Sequence, residues 1–130
     1  MIFLFAYTKS TSKTQEEAIL SVQMSVEAEG FKVLNALDIG NILRSKGLER
    51  EPIVILEVCH AKSAYTLLEN HIDMGLFLPC KINIYRQNGQ TFISALDPHF
   101  ITKLIRIDSQ VEKLVDEISS VIYRAVDNAV

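Results

Sequence analysis

The sequence predicts a single α+β domain, an antiparallel sheet with its helices gathered on one face. Two runs of alternating residues, KINIYRQ and QTFISAL, flank Asn88-Gly89, a dipeptide that suits a tight hairpin turn in which both central residues have positive φ. Near the C-terminal end, apolar residues recur at helical spacing, so one face of a long helix packs on the sheet. A chain of 130 residues with 48% hydrophobic residues fits one folded domain, residues 1–130.

The first half of the chain predicts a strand, a helix, a second strand and a short helix. Residues 2–7 are aromatic and aliphatic, which favours a first strand. The helix begins at a capping box formed either by Ser12 with Gln15 or by Thr14 with Glu17, and it ends before Gly30. The run FKVLNALDI has strand composition, and the aspartate within it can cap the short helix that follows.

The second half predicts three more strands and the long helix. Residues 53–58 are a short apolar run typical of a strand, and residues 61–70 are helical. We expect Ile82, Ile84, Phe92 and Ala95 on the buried side of the hairpin. The last helix begins near Ser109, which is expected to form a capping box with Glu112. Its apolar stripe consists of Val111, Leu114, Val115, Ile118, Val121, Ile122 and Ala125.

Charge and composition exclude several classes of function. The formal net charge is -3, and the lysines and arginines form no basic cluster, so we expect no nucleic-acid partner. The apolar start of the chain is too short to span a bilayer and lacks the features of a signal peptide, so we expect no membrane association and a cytoplasmic location. Neither a phosphate-binding loop nor a dinucleotide fingerprint is present, and no cofactor is predicted.

The two cysteines, Cys59 and Cys80, are the strongest candidates for a functional site. Cys59 ends a predicted strand just before a helix, whose free amides and dipole would stabilise a thiolate. Cys80 follows Pro79 at the start of another strand, and Gly75 permits a tight bend in the apolar loop between them. If the strand ends are neighbours, both thiols border one crevice. The alternative is that both are small buried hydrophobes.

Three further polar residues belong to the predicted crevice. His60 directly follows Cys59, and adjacent side chains of a strand point to opposite faces, so it is poorly placed as a base. His99 lies in a loop after a strand and is the better candidate base, or else a solvent-exposed histidine. Asp97 is expected to accept local amide hydrogen bonds in a turn. The cysteines and histidines lack the closely spaced pairs of metal sites, so no metal is predicted.

The stretch EVCHAKSAYTLLENHIDMGLFLPCKINIY followed by NGQTFISALDP resembles the domain of unknown function 302 family. The matching positions are Cys59, Ala64, Tyr65, Gly75, Leu76, Pro79, Cys80, Asp97 and Pro98. His60 and Ala61 stand where the family usually has Asn-Pro. The resemblance implies a β-α-β(4)-α order similar to the TATA-binding-protein-like fold, and it implies homodimers. It implies no established reaction.

The sequence therefore leaves three hypotheses. The first is a binding or accessory module that holds a small molecule or a sulfur-bearing group in a crevice around Cys59, Cys80 and Asp97. The second is a thiol-dependent enzyme or redox protein that uses Cys59 or Cys80 as nucleophile. The third is a structural module whose crevice forms a dimer seam. Whether the protein is an enzyme is left open by the sequence.

Overall fold

The computed structural model describes residues 5–130, and within them one antiparallel sheet has the strand order β1-β5-β4-β3-β2. The strands are β1 Ala6–Thr11, β2 Lys32–Asp38, β3 Ile53–Cys59, β4 Cys80–Gln87 and β5 Gln90–Leu96. The helices are α1 Gln15–Ala28, α2 Ile39–Ser45, α3 Ala61–Asn70, α4 His99–Leu104 and α5 Ser109–Ala129, and a 3₁₀ helix covers Ile72–Phe77. The α+β prediction is confirmed, and the β-α-β(4)-α order is present with short helices in the connections.

Helices α1 and α5 cover one face of the sheet and form the main core with it. Alternate residues of the strands point to this face and are fully buried, which is the period that a half-covered sheet requires. The largest fully buried side chains of the described residues include Leu56, Ile82, Ile84, Ile93, Ile122, Val22 and Val26. The core therefore joins the central strands to both long helices.

A second, smaller core lies beyond the end of the sheet. Met74 of the 3₁₀ helix and Ile101 of α4 are buried there against Val111 and Val115, which lie in the first two turns of α5. Leu67 of α3 packs on the same cluster. The 3₁₀ helix and α4 therefore pack on the start of α5. This junction positions the candidate site.

The capping box predicted for α1 and the predicted hairpin turn are present. The Thr14 hydroxyl accepts a hydrogen bond from the Glu17 amide at 3.2 Å, and the Glu17 carboxylate accepts one from the Thr14 amide at 3.0 Å, so the second capping-box alternative is the correct one. Asn88 and Gly89 have φ values of 51° and 78°, as a type I′ hairpin turn requires. Local sequence signals of this kind depend on a few neighbouring residues, which is why they were predictable.

Three local predictions were wrong or shifted. The strand predicted at residues 2–7 lies partly outside the described residues, and β1 continues through the polar residues to Thr11 because it pairs with β5 along that length. Phe92 lies on the face opposite the helices, stacked on Tyr85 at 5.3 Å between ring centroids, because strand alternation buries Ile93 instead. Asp108, not Ser109, caps α5, and its carboxylate accepts a hydrogen bond from the Val111 amide at 2.8 Å.

Candidate functional site around Cys80

The two cysteines lie on the neighbouring strands β3 and β4, at the same end of the sheet. Val58 and Cys80 are directly opposed in the antiparallel pairing of β3 with β4, and Cys59 is the next residue of β3. Both cysteines are free thiols. Because side chains alternate along a strand, Cys80 points to the same face of the sheet as the buried Val58, and Cys59 would point to the other face. The chain leaves the strand directly after Cys59, at His60, and enters α3. Atoms of both cysteines consequently line one narrow cavity of about 30 Å³.

Cys80 also borders a second cavity, of about 40 Å³, at the junction with the smaller core. Its walls come from α3, the 3₁₀ helix, the end of β5, α4 and α5, and they are almost entirely apolar: Leu67, Met74, Phe77, Leu78, Cys80, Leu96, Pro98, Ile101, Leu114, Val115 and Ile118. The two cavities share Leu67, Leu78, Cys80 and Ile118. Cys80 thus lies where two apolar spaces meet.

The environment of Cys80 keeps its thiol protonated. Burial raises the pKa of the Cys80 thiol to about 11, and the neighbouring Cys59 raises it further than Lys81 lowers it. A thiol with so high a pKa is almost entirely uncharged at neutral pH and is a poor nucleophile. The arrangement therefore favours Cys80 as a polarizable wall of an apolar site rather than as a thiolate.

His60 caps the helix that follows Cys59. Its Nδ1 atom accepts a hydrogen bond from the Ser63 hydroxyl at 2.9 Å and a longer one, 3.4 Å, from the Ser63 amide. The ring stands edge-on to Phe31, with 5.4 Å between centroids, and a Cβ at Gly30 would approach its Nε2 atom to 3.3 Å. The imidazole thus occupies the N-cap position, where a short polar side chain is the usual choice. Its role here is to anchor α3 beside the smaller cavity.

Gly75 and Pro79 shape the loop between the cysteines, but Gly75 does so differently from the prediction. Gly75 lies inside the 3₁₀ helix without a positive φ, so it does not make the tight bend. A Cβ there would lie 3.2 Å from the Leu68 side chain, so the missing side chain allows the 3₁₀ helix to pack closely on α3. Pro79 follows a cis peptide bond and leads directly into Cys80.

Asp97 and His99 belong to a polar cluster that the sequence did not indicate as a unit. Asp97 accepts a hydrogen bond from the His99 amide at 3.0 Å, the local turn contact that was expected, and a second from the Tyr123 hydroxyl at 2.8 Å. His99 lies at the start of α4, within hydrogen-bonding distance of Tyr123 and Asp116 of α5. Among the described residues, neither cysteine is a hydrogen-bond partner of His99, so it is not placed as their base. Only the seven-residue spacing of Asp116 and Tyr123 on one helix face could have indicated the cluster.

The remaining histidine and the acidic residues offer no metal centre in the described part of the chain. His71 lies 3.3 Å from the Asp108 carboxylate, at the start of α5. Within residues 5–130, no three or more histidine, cysteine, aspartate or glutamate side chains are grouped to hold a metal ion. In the same range, no helix has both the length and the apolar character to cross a bilayer.

Comparisons with known proteins agree with the fold. The family model described as "Domain of unknown function DUF302" matches residues 7–129. The chain is similar to the crystal structure of an uncharacterized conserved protein DUF302 from Bacillus stearothermophilus, with a TM-score of 0.92 and 31% identity over 98% of this chain and 100% of that chain. No curated relative matches the chain. These descriptions state a family and name neither a ligand nor a reaction.

Proposed function

The chain belongs to the DUF302 family, and from the geometry around Cys80 we propose that it is a binding module for a small apolar ligand, including a sulfur-bearing one such as a thioether. The observation that carries this is the pair of apolar cavities that meet at Cys80 between α3, the 3₁₀ helix and α5. Genuinely apolar cavities exclude water and accept small apolar molecules. The protein acts in the cytoplasm, where both thiols stay reduced.

Two of the segments that form the cavity walls have few buried residues, so the volume of the cavities can increase when a ligand binds. Helix α3 has no buried residue, and the 3₁₀ helix buries only Met74 among its six residues. Segments with few buried contacts open at low free-energy cost. A ligand larger than the resting cavities is accommodated when α3 and the 3₁₀ helix move away from Ile118, while α5 and the sheet stay fixed by the main core.

Benzene is a suitable probe of this function. We expect benzene to shift the methyl NMR signals of Leu67, Met74, Ile101 and Ile118 and to leave those of the core residue Ile84 unchanged. Ile118 lines both cavities, so Ile118→Phe fills them and abolishes the shifts, whereas Ile72→Phe on the exposed surface preserves them. Shifts that persist in Ile118→Phe, or that spread over exposed methyls, would contradict a specific apolar site.

A second candidate function is thiol chemistry at Cys59. One observation favours it: Cys59 lies directly before the N-terminus of the ten-residue helix α3 and lines the same cavity as Cys80. Cys80 would then act as the uncharged neighbour. The test uses the Cys80→Ser variant, in which Cys59 is the remaining cysteine. If Cys59 is a nucleophile, iodoacetamide should modify it below neutral pH faster in the folded protein than in denaturant.

We also propose that the protein is a homodimer that associates through the sheet face opposite α1 and α5. That face carries half-buried Ile53, Ile55, Tyr85 and Phe92, whose apolar atoms a second copy would cover. Light scattering should give about twice the 14.6 kDa mass of one chain. Ile55→Arg should give a monomer, whereas Leu20→Arg on the exposed side of α1 should not. A wild-type monomer at high micromolar concentration would refute the dimer.

A further inference from the structure

A polar cluster joins the first residue of α4 to the middle of α5. The His99 Nε2 atom lies 2.7 Å from the Asp116 carboxylate, and its Nδ1 atom lies 3.1 Å from the Tyr123 hydroxyl. That hydroxyl donates to Asp97 at 2.8 Å. The cluster is therefore a chain of three hydrogen bonds that runs Asp116, His99, Tyr123, Asp97, with a carboxylate at each end.

Counting protons along this chain shows which form of His99 satisfies every hydrogen bond. Ionised carboxylates only accept hydrogen bonds, so the one hydrogen of the Tyr123 hydroxyl goes to Asp97. The His99 Nδ1 atom must then donate to the Tyr123 oxygen, and its Nε2 atom must donate to Asp116. An imidazole donates from both nitrogens only when it is protonated. The full set of bonds therefore exists only in the imidazolium form, and loss of the proton removes one of them.

Two carboxylates contact the His99 ring. Asp97 Oδ1 lies 3.5 Å from Nδ1, in addition to the contact with Asp116. Behind Tyr123, strand β1 contributes Tyr7, whose ring lies 4.5 Å from the Tyr123 ring and whose hydroxyl donates to Asp127 at 2.7 Å. Among the described residues, the charged groups in contact with the His99 ring are both carboxylates, and Lys103, one turn along α4, is exposed.

The same helix forms one wall of the larger cavity. Pro98 and Ile101, which flank His99, line that cavity opposite Leu114 and Ile118 of α5. Ile101 is the only buried residue of the six in α4. Phe100 of α4 also contacts Phe5, with 5.6 Å between ring centroids, and the hydrogen bonds of His99 add a polar link between α4 and α5.

We propose that Asp116, His99, Tyr123 and Asp97 form a proton-operated clamp that holds α4 against α5 and loosens when His99 loses its proton, which opens the cavity wall at Ile101. The clamp itself stands on the hydrogen-bond geometry. Its role in ligand access rests on the proposed binding function. Because histidine is the side chain that can exchange its charge near neutral pH, measurements at pH 5.5 and pH 8.5 are the appropriate test of the clamp.

A double-mutant cycle between His99→Gln and Asp116→Asn, measured by chemical unfolding at pH 5.5 and pH 8.5, tests the clamp. We expect the coupling to change the unfolding equilibrium at least fivefold at pH 5.5 and to be clearly smaller at pH 8.5, because a neutral ring can still donate one hydrogen bond but no longer carries the charge. The matched control pairs His99→Gln with Asp127→Asn, a carboxylate bound to Tyr7 but not to His99, and should show no coupling at either pH. Equal coupling of His99 with Asp116 at both pH values would overturn the proposal.

Benzene association separates the clamp from the binding function. We expect association with the wild-type protein to be faster at pH 8.5 than at pH 5.5, and His99→Gln to be fast at both. If benzene binds with rates that do not depend on pH, the role of the clamp in access is refuted. If benzene does not bind but the coupling depends on pH, the binding function fails and the clamp remains as a pH-dependent link between α4 and α5.

Discussion

Replacing Ile122 with alanine should lower the free energy of unfolding by about 2–5 kcal/mol, the usual cost of truncating a buried isoleucine. Ile122 is 1% exposed and lies in the main core between α5 and the sheet. The substitution removes apolar contacts and leaves a cavity that the surrounding close-packed side chains fill only partly. Chemical denaturation of the wild-type protein and the variant gives the difference directly.

The matched control is Ile72→Ala, since Ile72 is 75% exposed at the start of the 3₁₀ helix. This change should alter the free energy of unfolding by less than about 0.5 kcal/mol, as surface substitutions generally do. A similar loss at both positions would show that the α5 stripe does not form the core described above.

Cys80 should react with iodoacetamide at least about tenfold more slowly at pH 8 than an unfolded cysteine, because its small thiolate fraction is offset only partly by the higher nucleophilicity of a more basic thiolate. A thiol with a pKa of about 11 is roughly 0.1% thiolate at that pH, whereas an ordinary cysteine, with a pKa of about 8.5, is roughly one quarter thiolate. Because the folded state holds the proton more tightly, the labelling rate should keep rising steeply as the pH is raised towards 11.

The Cys59→Ser variant isolates this measurement, because Cys80 is then the single remaining cysteine. The same variant in denaturant supplies the unfolded rate. Removing Cys59 also removes its contribution to the raised pKa, but burial, the larger cause, remains. Rapid labelling of Cys80 in the native protein near neutral pH would contradict an uncharged, buried thiol and would return the cysteine pair to nucleophilic chemistry.

The sequence predicted the fold well because its signals are local or periodic. The hairpin at Asn88-Gly89, the capping box at Thr14 and the position of α5 each depend on residues close together in the chain. Helix α4 was not predicted, since six residues that bury only Ile101 leave no recognisable periodicity. The face of Phe92 was also wrong, because Phe92 and Ala95 are three positions apart and strand alternation places them on opposite faces of β5, of which Ala95 lies on the buried one.

The candidate site was predictable only in part. The motif located both cysteines and the loop, and the order of strands placed Cys59 and Cys80 at one sheet edge. The sequence did not reveal that α5 supplies the far wall of the cavities through Ile118, or that Tyr123 and Asp116 contact His99. Those contacts join residues that are at least 17 positions apart along the chain. Long-range pairings of this kind depend on how α5 lies on the sheet.

The most direct test of the proposed function is a crystal structure of the protein under xenon pressure. We expect a xenon atom in the cavity between Leu67, Leu78, Cys80 and Ile118, with no such atom in Ile118→Phe crystals treated in the same way. A cavity that stays empty, or that contains ordered water while xenon occupies other sites, would contradict the claim that the space around Cys80 is an apolar binding site.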